Sequence, residues 1–141
     1  MKQSENITIN ASPERVWRAL TDLEDRVKRN DRLHEMSTLD GEDLALGSRM
    51  LIKVDRSRFK VTVTEFDPPT RMVSGAKNPV MTYFHAYDIA EVSEGVTRLT
   101  LTGSMGGVMG SLMGAFSKNR MRRDLRDELA PIKEASEASG R

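Results

Sequence analysis

The chain has no cysteine, two histidines, one tryptophan and an aromatic content of only 5% in 141 residues. Without cysteine there are no disulfides, no thiol nucleophile and no thiolate metal site. His34 and His85 stand far apart, with no second histidine one helical turn from either, so no metal constellation is expected. Charge of one sign is lacking as well: 22 Lys and Arg against 21 Asp and Glu leave a net +1, which gives no overall bias toward nucleic acid. There is no nucleophile elbow, phosphate loop or dinucleotide fingerprint, since Gly106-Gly107-Val108-Met109-Gly110 lacks both the spacing and the lysine. No cofactor is expected on these grounds. The uncharged run 99–117 nears membrane-span length, but Gly103, Gly106, Gly107 and Gly110 with Thr100, Thr102, Ser104 and Ser111 make it too polar to be read as a span. No apolar leader precedes the first alternating segment, so a cytoplasmic location is expected.

Alternation at period two is what the chain does have. Ile7, Ile9 and Ala11 alternate with Thr8 and Asn10, as a strand with one apolar face requires. Ser12, Pro13 and Glu14 then predict a helix start, with serine as cap, proline at the first position and glutamate at the positive end of the dipole. Val16, Leu20 and Leu23, with Trp17 beside them, point this short helix inward. Residues 22–31 are almost wholly charged and read as a solvated second helix or loop. A weak strand at 34–39 and a turn at 41–47 follow. Met50, Ile52 and Val54 alternate, as do Phe59, Val61 and Val63, with a polar hairpin connection at 55–58. Pro68 and Pro69 end that strand. Further strands are predicted at 71–76, at 81–92 and around Leu99 and Leu101.

A long helix closes the order. It opens in the glycine and methionine run from Met105 and continues with Met121, Leu125, Leu129 and Ile132 spaced three or four apart. Met109, Leu112, Met113 and Phe116 form an earlier stripe roughly 150° away, so the two halves bend apart or bury against different surroundings. Pro131 removes the bond to the Asp127 carbonyl and predicts a kink or a stop, with Ile132 and Ala135 favouring the kink. The fold class is therefore α+β: a curved antiparallel sheet of about seven strands wrapped round a long C-terminal helix, with two short helices after the first strand. A length of 141 residues suits one domain over 1–141.

Several stretches together resemble the START-related, polyketide cyclase/dehydrase and lipid-transport-like superfamily (SRPBCC) with its helix-grip fold. They are Ile7-Thr8-Ile9-Asn10-Ala11-Ser12-Pro13-Glu14-Arg15-Val16-Trp17 with Leu20-Thr21-Asp22-Leu23-Glu24, then Gly47-Ser48-Arg49, Val63-Thr64-Glu65-Phe66-Asp67-Pro68-Pro69, and Glu128-Leu129 with Ile132-Lys133. The resemblance runs over nearly the whole chain and implies a small apolar or amphipathic molecule held between sheet and helix. Some members of the superfamily are enzymes and many only bind. Where relatives commonly carry tryptophans and a proline, this chain has Asp25-Arg26-Val27-Lys28-Arg29-Asn30-Asp31, which argues against an aromatic pocket mouth at the second helix.

A pocket in such an architecture would be lined by alternate strand residues and by the first half of the last helix. The candidates are Met50, Ile52, Phe59, Val61, Met81, Tyr83, His85, Tyr87, Leu99, Leu101, Met109, Leu112, Met113 and Phe116, with Arg120 or Arg123 meeting an anionic headgroup at the mouth. Methionines suit this role because unbranched thioethers repack around differently shaped ligands; the alternative is that they fill a core. Gly106, Gly107, Gly110 and Gly114 suggest a mobile lid. His85 between Tyr83 and Tyr87 is the one candidate for proton transfer, provided that strand face turns inward; a slip of one residue would turn it out. Lys118, Arg120, Arg122, Arg123 and Arg126 read as a solvated face paired with Asp124, Asp127 and Glu128. The partner expected is thus a small hydrophobic or amphipathic ligand such as a lipid or polyketide-like compound, bound or transported by a monomer or weak homodimer. A cyclase or dehydratase using His85 and the tyrosines, and a protein-interaction module, are the alternatives.

Overall fold

The computed structural model describes residues 1–138, without the side chains of 108–117. Its elements run β1 (Lys2–Ile9), α1 (Pro13–Thr21), α2 (Leu23–Arg29), β2 (Leu33–Thr38), β3 (Arg49–Val54), β4 (Ser57–Asp67), β5 (Arg71–Lys77), β6 (Thr82–Ser93), β7 (Val96–Gly106) and α3 (Gly107–Ala138). The seven strands form one sheet in the order β1-β7-β6-β5-β4-β3-β2, every pair antiparallel. β1 and β2, joined through α1 and α2, lie at opposite edges. The register shifts in β4 between Val63 and Glu65, and shifts again near the ends of β2 and β6; such bulges bend the strands that carry them.

The helices start where capping chemistry says they should. Ser12 Oγ accepts from the Arg15 N–H at 3.3 Å and Pro13 takes the first turn of α1; Asp22 then caps α2 through the Asp25 N–H at 3.1 Å. Val16, Ala19 and Leu20 of α1 are buried, and Trp17 meets Phe66 edge-on at 5.2 Å. The second stripe of α3, Met121, Leu125, Leu129, Ile132 and Ala135, is buried against β1, β7 and α1. Ile9, Val63, Met72, Leu99 and Leu101 complete the same core.

Two expectations are corrected, and of the two outcomes left open at Pro131 one is excluded. Met105 and Gly106 belong to β7, pairing with Tyr83 and Thr82 of β6, so the helix begins two residues later than the sequence suggested. Gly107 makes that junction at φ +85°, where a Cβ would lie 2.7 Å from the Val80 carbonyl oxygen. Pro131 does not stop α3, which continues to Ala138. The charged segment 22–31 is not simply solvated: Arg26 of α2 is buried, with 6% of its surface exposed. Among the described residues no helix is long and apolar enough to cross a membrane.

Candidate functional site

The sheet curls away from α3 toward its β2–β4 side and leaves a cavity of about 420 Å³ between them. Its walls come from alternate residues of the concave face. Met36 of β2, Ile52 and Val54 of β3, Phe59 and Val61 of β4, and Met81 with Tyr83, His85 and Tyr87 at β6 contribute from the sheet side. Met121, Leu125 and Glu128 contribute from α3, and Arg26 from α2. Phe59 and Tyr83 stack with centroids 5.8 Å apart, and Tyr83 and His85 tilt together at 4.8 Å. The register of β6 thus turns Tyr83, His85 and Tyr87 inward, the orientation on which their chemistry depended.

Of the residues singled out from the sequence, Ile52, Phe59, Val61, Met81, Tyr83, His85, Tyr87 and Arg120 border the cavity. Met50, Leu99 and Leu101 do not; they are packed into the core with at most 3% exposure. Met109, Leu112, Met113 and Phe116 fall among the side chains outside the described residues, and the expectation of a lid at Gly110 and Gly114 falls in the same stretch. His34 is exposed on β2, away from these walls.

The polar floor of the cavity is one connected chain. Tyr83 Oη lies 2.9 Å from His85 Nε2, and His85 Nδ1 faces Glu128 Oε1 at 3.5 Å. The other carboxylate oxygen, Oε2, accepts from the Tyr87 hydroxyl and from Arg26 Nη2 at 2.9 Å. Arg26 Nη1 is anchored on the Leu20 carbonyl at 3.1 Å. Gly103 of β7 pairs with His85, and a Cβ there would stand at ordinary contact distance, 3.6 Å, from the His85 ring.

Burial and charge set the protonation of each group. Burial holds the His85 imidazole below the ordinary histidine value; Glu128 pulls it upward without compensating, while Arg26 pushes it further down. Burial alone would raise the Glu128 carboxyl. His85, Arg26 and the hydrogen bonds from Tyr87 and Arg26 together hold it below the ordinary carboxylate value. Both phenols are pushed far up, by burial first and by Glu128 second. At neutral pH the floor therefore holds a neutral imidazole, a carboxylate, a guanidinium and two intact phenols.

A second polar group rings the mouth. Arg32 reaches Asp55 at 2.8 Å on the β3–β4 hairpin, and Asp124 at 3.0 Å and Asp127 at 3.3 Å on α3, tying the hairpin tip to the helix. Arg120 lies on the same rim and is exposed. Arg122 and Arg126 are engaged elsewhere, with Glu5 of β1. Among the described residues no group of three or more His, Asp or Glu is placed to hold a metal.

Sequence reasoning missed Arg26, Glu128 and Arg32. A signal existed for two of them. Leu23, Arg26 and Val27 share a helical face, and Glu128 lies three residues after Leu125 and four before Ile132, on the side of the apolar stripe.

A family model described as "Polyketide cyclase / dehydrase and lipid transport" matches residues 2–137. The chain belongs to that family. The solved structures it is similar to agree at the level of fold. Over its full length, and all of the other chain, it matches a protein of Thermus thermophilus with a TM-score of 0.80 at 19% identity. It matches the di-domain ARO/CYC BexL of the BE-7585A biosynthetic pathway over 96% of this chain and 46% of that one, with a TM-score of 0.75 at 16% identity. Norcoclaurine synthase from Thalictrum flavum, solved with dopamine and hydroxybenzaldehyde, is similar over 95% of this chain and 84% of its own, with a TM-score of 0.73 at 7% identity. A search of curated protein sequences finds no match. At such identities the likeness to solved structures establishes the curled sheet and its helix, and the floor of the cavity has to be read from this family member's own residues.

Proposed function

We propose that this family member binds a small hydrophobic or amphipathic molecule, of lipid or polyketide-like character, in the cavity between the sheet and α3. The observation that carries the reading is the cavity itself. Its volume of about 420 Å³ falls in the range of small-molecule sites, and an apolar, methionine-rich wall surrounds a few convergent polar groups. Apolar ligand surface buried there would contribute roughly 25 cal/mol per Å², with Tyr83, His85 and the rim residue Arg120 fixing orientation. A second reading, a cyclase or dehydratase acting through His85 and the tyrosines, is favoured by the contact of Tyr83 Oη with His85 Nε2 at 2.9 Å.

Titration with a fluorescent fatty acid, and in parallel with a planar aromatic dye, tests the binding reading. Saturable uptake at one site is expected, and Ile52→Trp, which fills the cavity from β3, should weaken it by about tenfold or more, equivalent to about 1.4 kcal/mol. Uptake of neither probe, or equal uptake by the filled variant, would sink the proposal.

A further inference from the structure

We propose that the convex face of the sheet, on the side away from the cavity, is a docking surface for single-stranded RNA. The inference stands apart from the cavity and does not depend on what fills it. Met121, Leu125 and Leu129 of α3 are buried together with Val61, Tyr87 and Leu101 from one face of the sheet. Alternation leaves the opposite face to water.

A net charge of +1 gives no overall bias, but the sheet sorts the charges by face. Paired residues form one row straight across six strands: Arg49, Thr62, Gly75, Phe84, Ser104 and Lys2. At about 4.8 Å per strand the row is about 24 Å long. Toward the β3–β4 hairpin tip, Lys53 stands directly opposite Arg58, and the Thr62–Gly75 register, continued by two residues, sets Lys60 opposite Lys77. All of these cations but the half-buried Lys53 are exposed, and none of them forms an ion pair among the described residues. Like charges directly opposite each other on a sheet are destabilising. Little on the protein offsets them. Glu35 of β2 is in register with Lys53 without reaching it, and the acids Glu65 and Asp88, on the other half of the face, are taken by Arg71. A polyanion laid along the row supplies the missing charge.

What lies between the cations decides which polyanion fits. Phe84 is partly exposed and covers Gly75 so closely that a Cβ there would overlap its ring. The ring is thereby held against the sheet. Beside it runs a groove lined by Lys2, Thr102 and Ser104. An aromatic ring flanked by cations on an open sheet is a stacking platform for an unpaired base, whereas a run of carboxylates would use the cations and leave the ring idle. The hydroxyls of Thr62, Thr82, Thr102 and Ser104 on the same face suit ribose 2′-hydroxyls, which DNA lacks.

The test is fluorescence anisotropy of a labelled oligouridylate of about twelve nucleotides, added to the intact chain at low salt. Saturable binding is expected, weakening with salt at a log–log slope of about −3, as about four neutralised phosphates require. Lys60→Glu should weaken binding by about tenfold or more. Its urea midpoint should stay level or rise, because the opposition to Lys77 is gone. Phe84→Leu keeps an apolar cover on Gly75 but offers no ring face, and should cost about fivefold or more. Lys28→Glu, an exposed cation on α2 outside this face, should change binding by no more than about threefold, the effect of net charge alone. An oligothymidylate of equal length should bind more weakly by about threefold or more.

No saturable binding, or equal losses in Lys28→Glu and Lys60→Glu, overturns the docking surface. Displacement by polyglutamate as effective as by unlabelled oligouridylate, with Phe84→Leu unchanged, overturns RNA in favour of an acidic protein. Equal binding of oligothymidylate overturns it in favour of DNA. Should Phe84→Leu fail to fold, an abasic oligomer of the same length takes its place, and equal affinity for it overturns the stacking platform.

Discussion

The cavity has two arginine–carboxylate networks, one at its floor and one at its mouth, built from the same groups at nearly the same distances. Arg26 meets Glu128 at 2.9 Å, and Arg32 meets Asp55 at 2.8 Å. What separates them is water. The Arg26 and Glu128 side chains are 7% and 21% exposed, whereas Arg32 is 37% exposed and its three partners 45–51%. At the floor each charge has given up most of its solvation and depends on the others; at the mouth each keeps much of its hydration and the pairing is optional. Distance alone would rank the two as equals. Burial makes the first a fixed part of the fold, and leaves the second a set of pairs that water and salt can replace.

Removing one member of the floor network sharpens that contrast most. Arg26→Ala leaves Glu128 without its guanidinium and should cost about 3–5 kcal/mol, read as the shift in the urea unfolding midpoint. The paired replacement Arg26→Met with Glu128→Leu should recover most of the loss, since no charge is then stranded. It leaves the Tyr87 hydroxyl without its acceptor, a remaining cost of about 1–3 kcal/mol. If Arg26→Ala is no worse than a typical surface substitution, the floor is wetter than its burial implies and the comparison breaks.

Acid should reach the floor before the mouth. The His85 imidazole is held below its ordinary value of 6.5, so the unfolded chain takes up that proton first and the unfolded state binds more protons as pH falls. Stability from this source is fully present above about pH 6.5 and is lost as pH drops toward the folded value. Glu128, held below its ordinary 4.5, adds a second loss below that pH. Asp55 at the mouth, hydrogen-bonded to Arg32, is lowered from 3.8 and contributes only at still lower pH. Urea midpoints measured from pH 7.5 to 5 should therefore decline in the wild type and be flatter in His85→Phe. A flat wild-type profile over that range would contradict the assignment of a buried, neutral imidazole.

How much of this was legible in the sequence depends on whether a residue obeys its neighbours. The alternation of Phe59, Val61 and Val63, and the stripe from Met121 to Ile132, report burial directly because every second or every third to fourth residue is apolar, and the structure buries Val61, Val63 and the stripe and half-buries Phe59. Alternation also grouped Tyr83, His85 and Tyr87 on one face of β6, but pairing with β5 and β7 decides which way the face turns, and that is not local information. Arg26 was hidden by composition: in a stretch of ten residues that is almost all charged, nothing but its helical phase marks the one guanidinium that turns inward. Glu128 was hidden the other way, because basic residues on its own helix offered nearby partners, while its real partners come from α2 and β6. Met105 and Gly106 read as helix from their company; only their pairing with Tyr83 and Thr82 makes them strand.

The smallest effect is expected at the mouth. Arg32→Ala removes the guanidinium that joins Asp55 on the hairpin to Asp124 and Asp127 on α3, but all four side chains are more than a third exposed, so water and salt replace much of what is lost. The change in unfolding free energy should stay below about 1 kcal/mol at moderate salt and shrink further as ionic strength rises. The clearer readout is kinetic. With the hairpin no longer held to the helix, a cavity-bound fluorescent fatty acid should leave faster in Arg32→Ala, by a factor that high salt reproduces in the wild type, because screening loosens the same three contacts. Stopped-flow displacement at low and high salt separates this from a floor effect: a variant that loses several kcal/mol of stability, or whose ligand release does not respond to salt, would place Arg32 in the same energetic class as Arg26 and remove the distinction between the two networks.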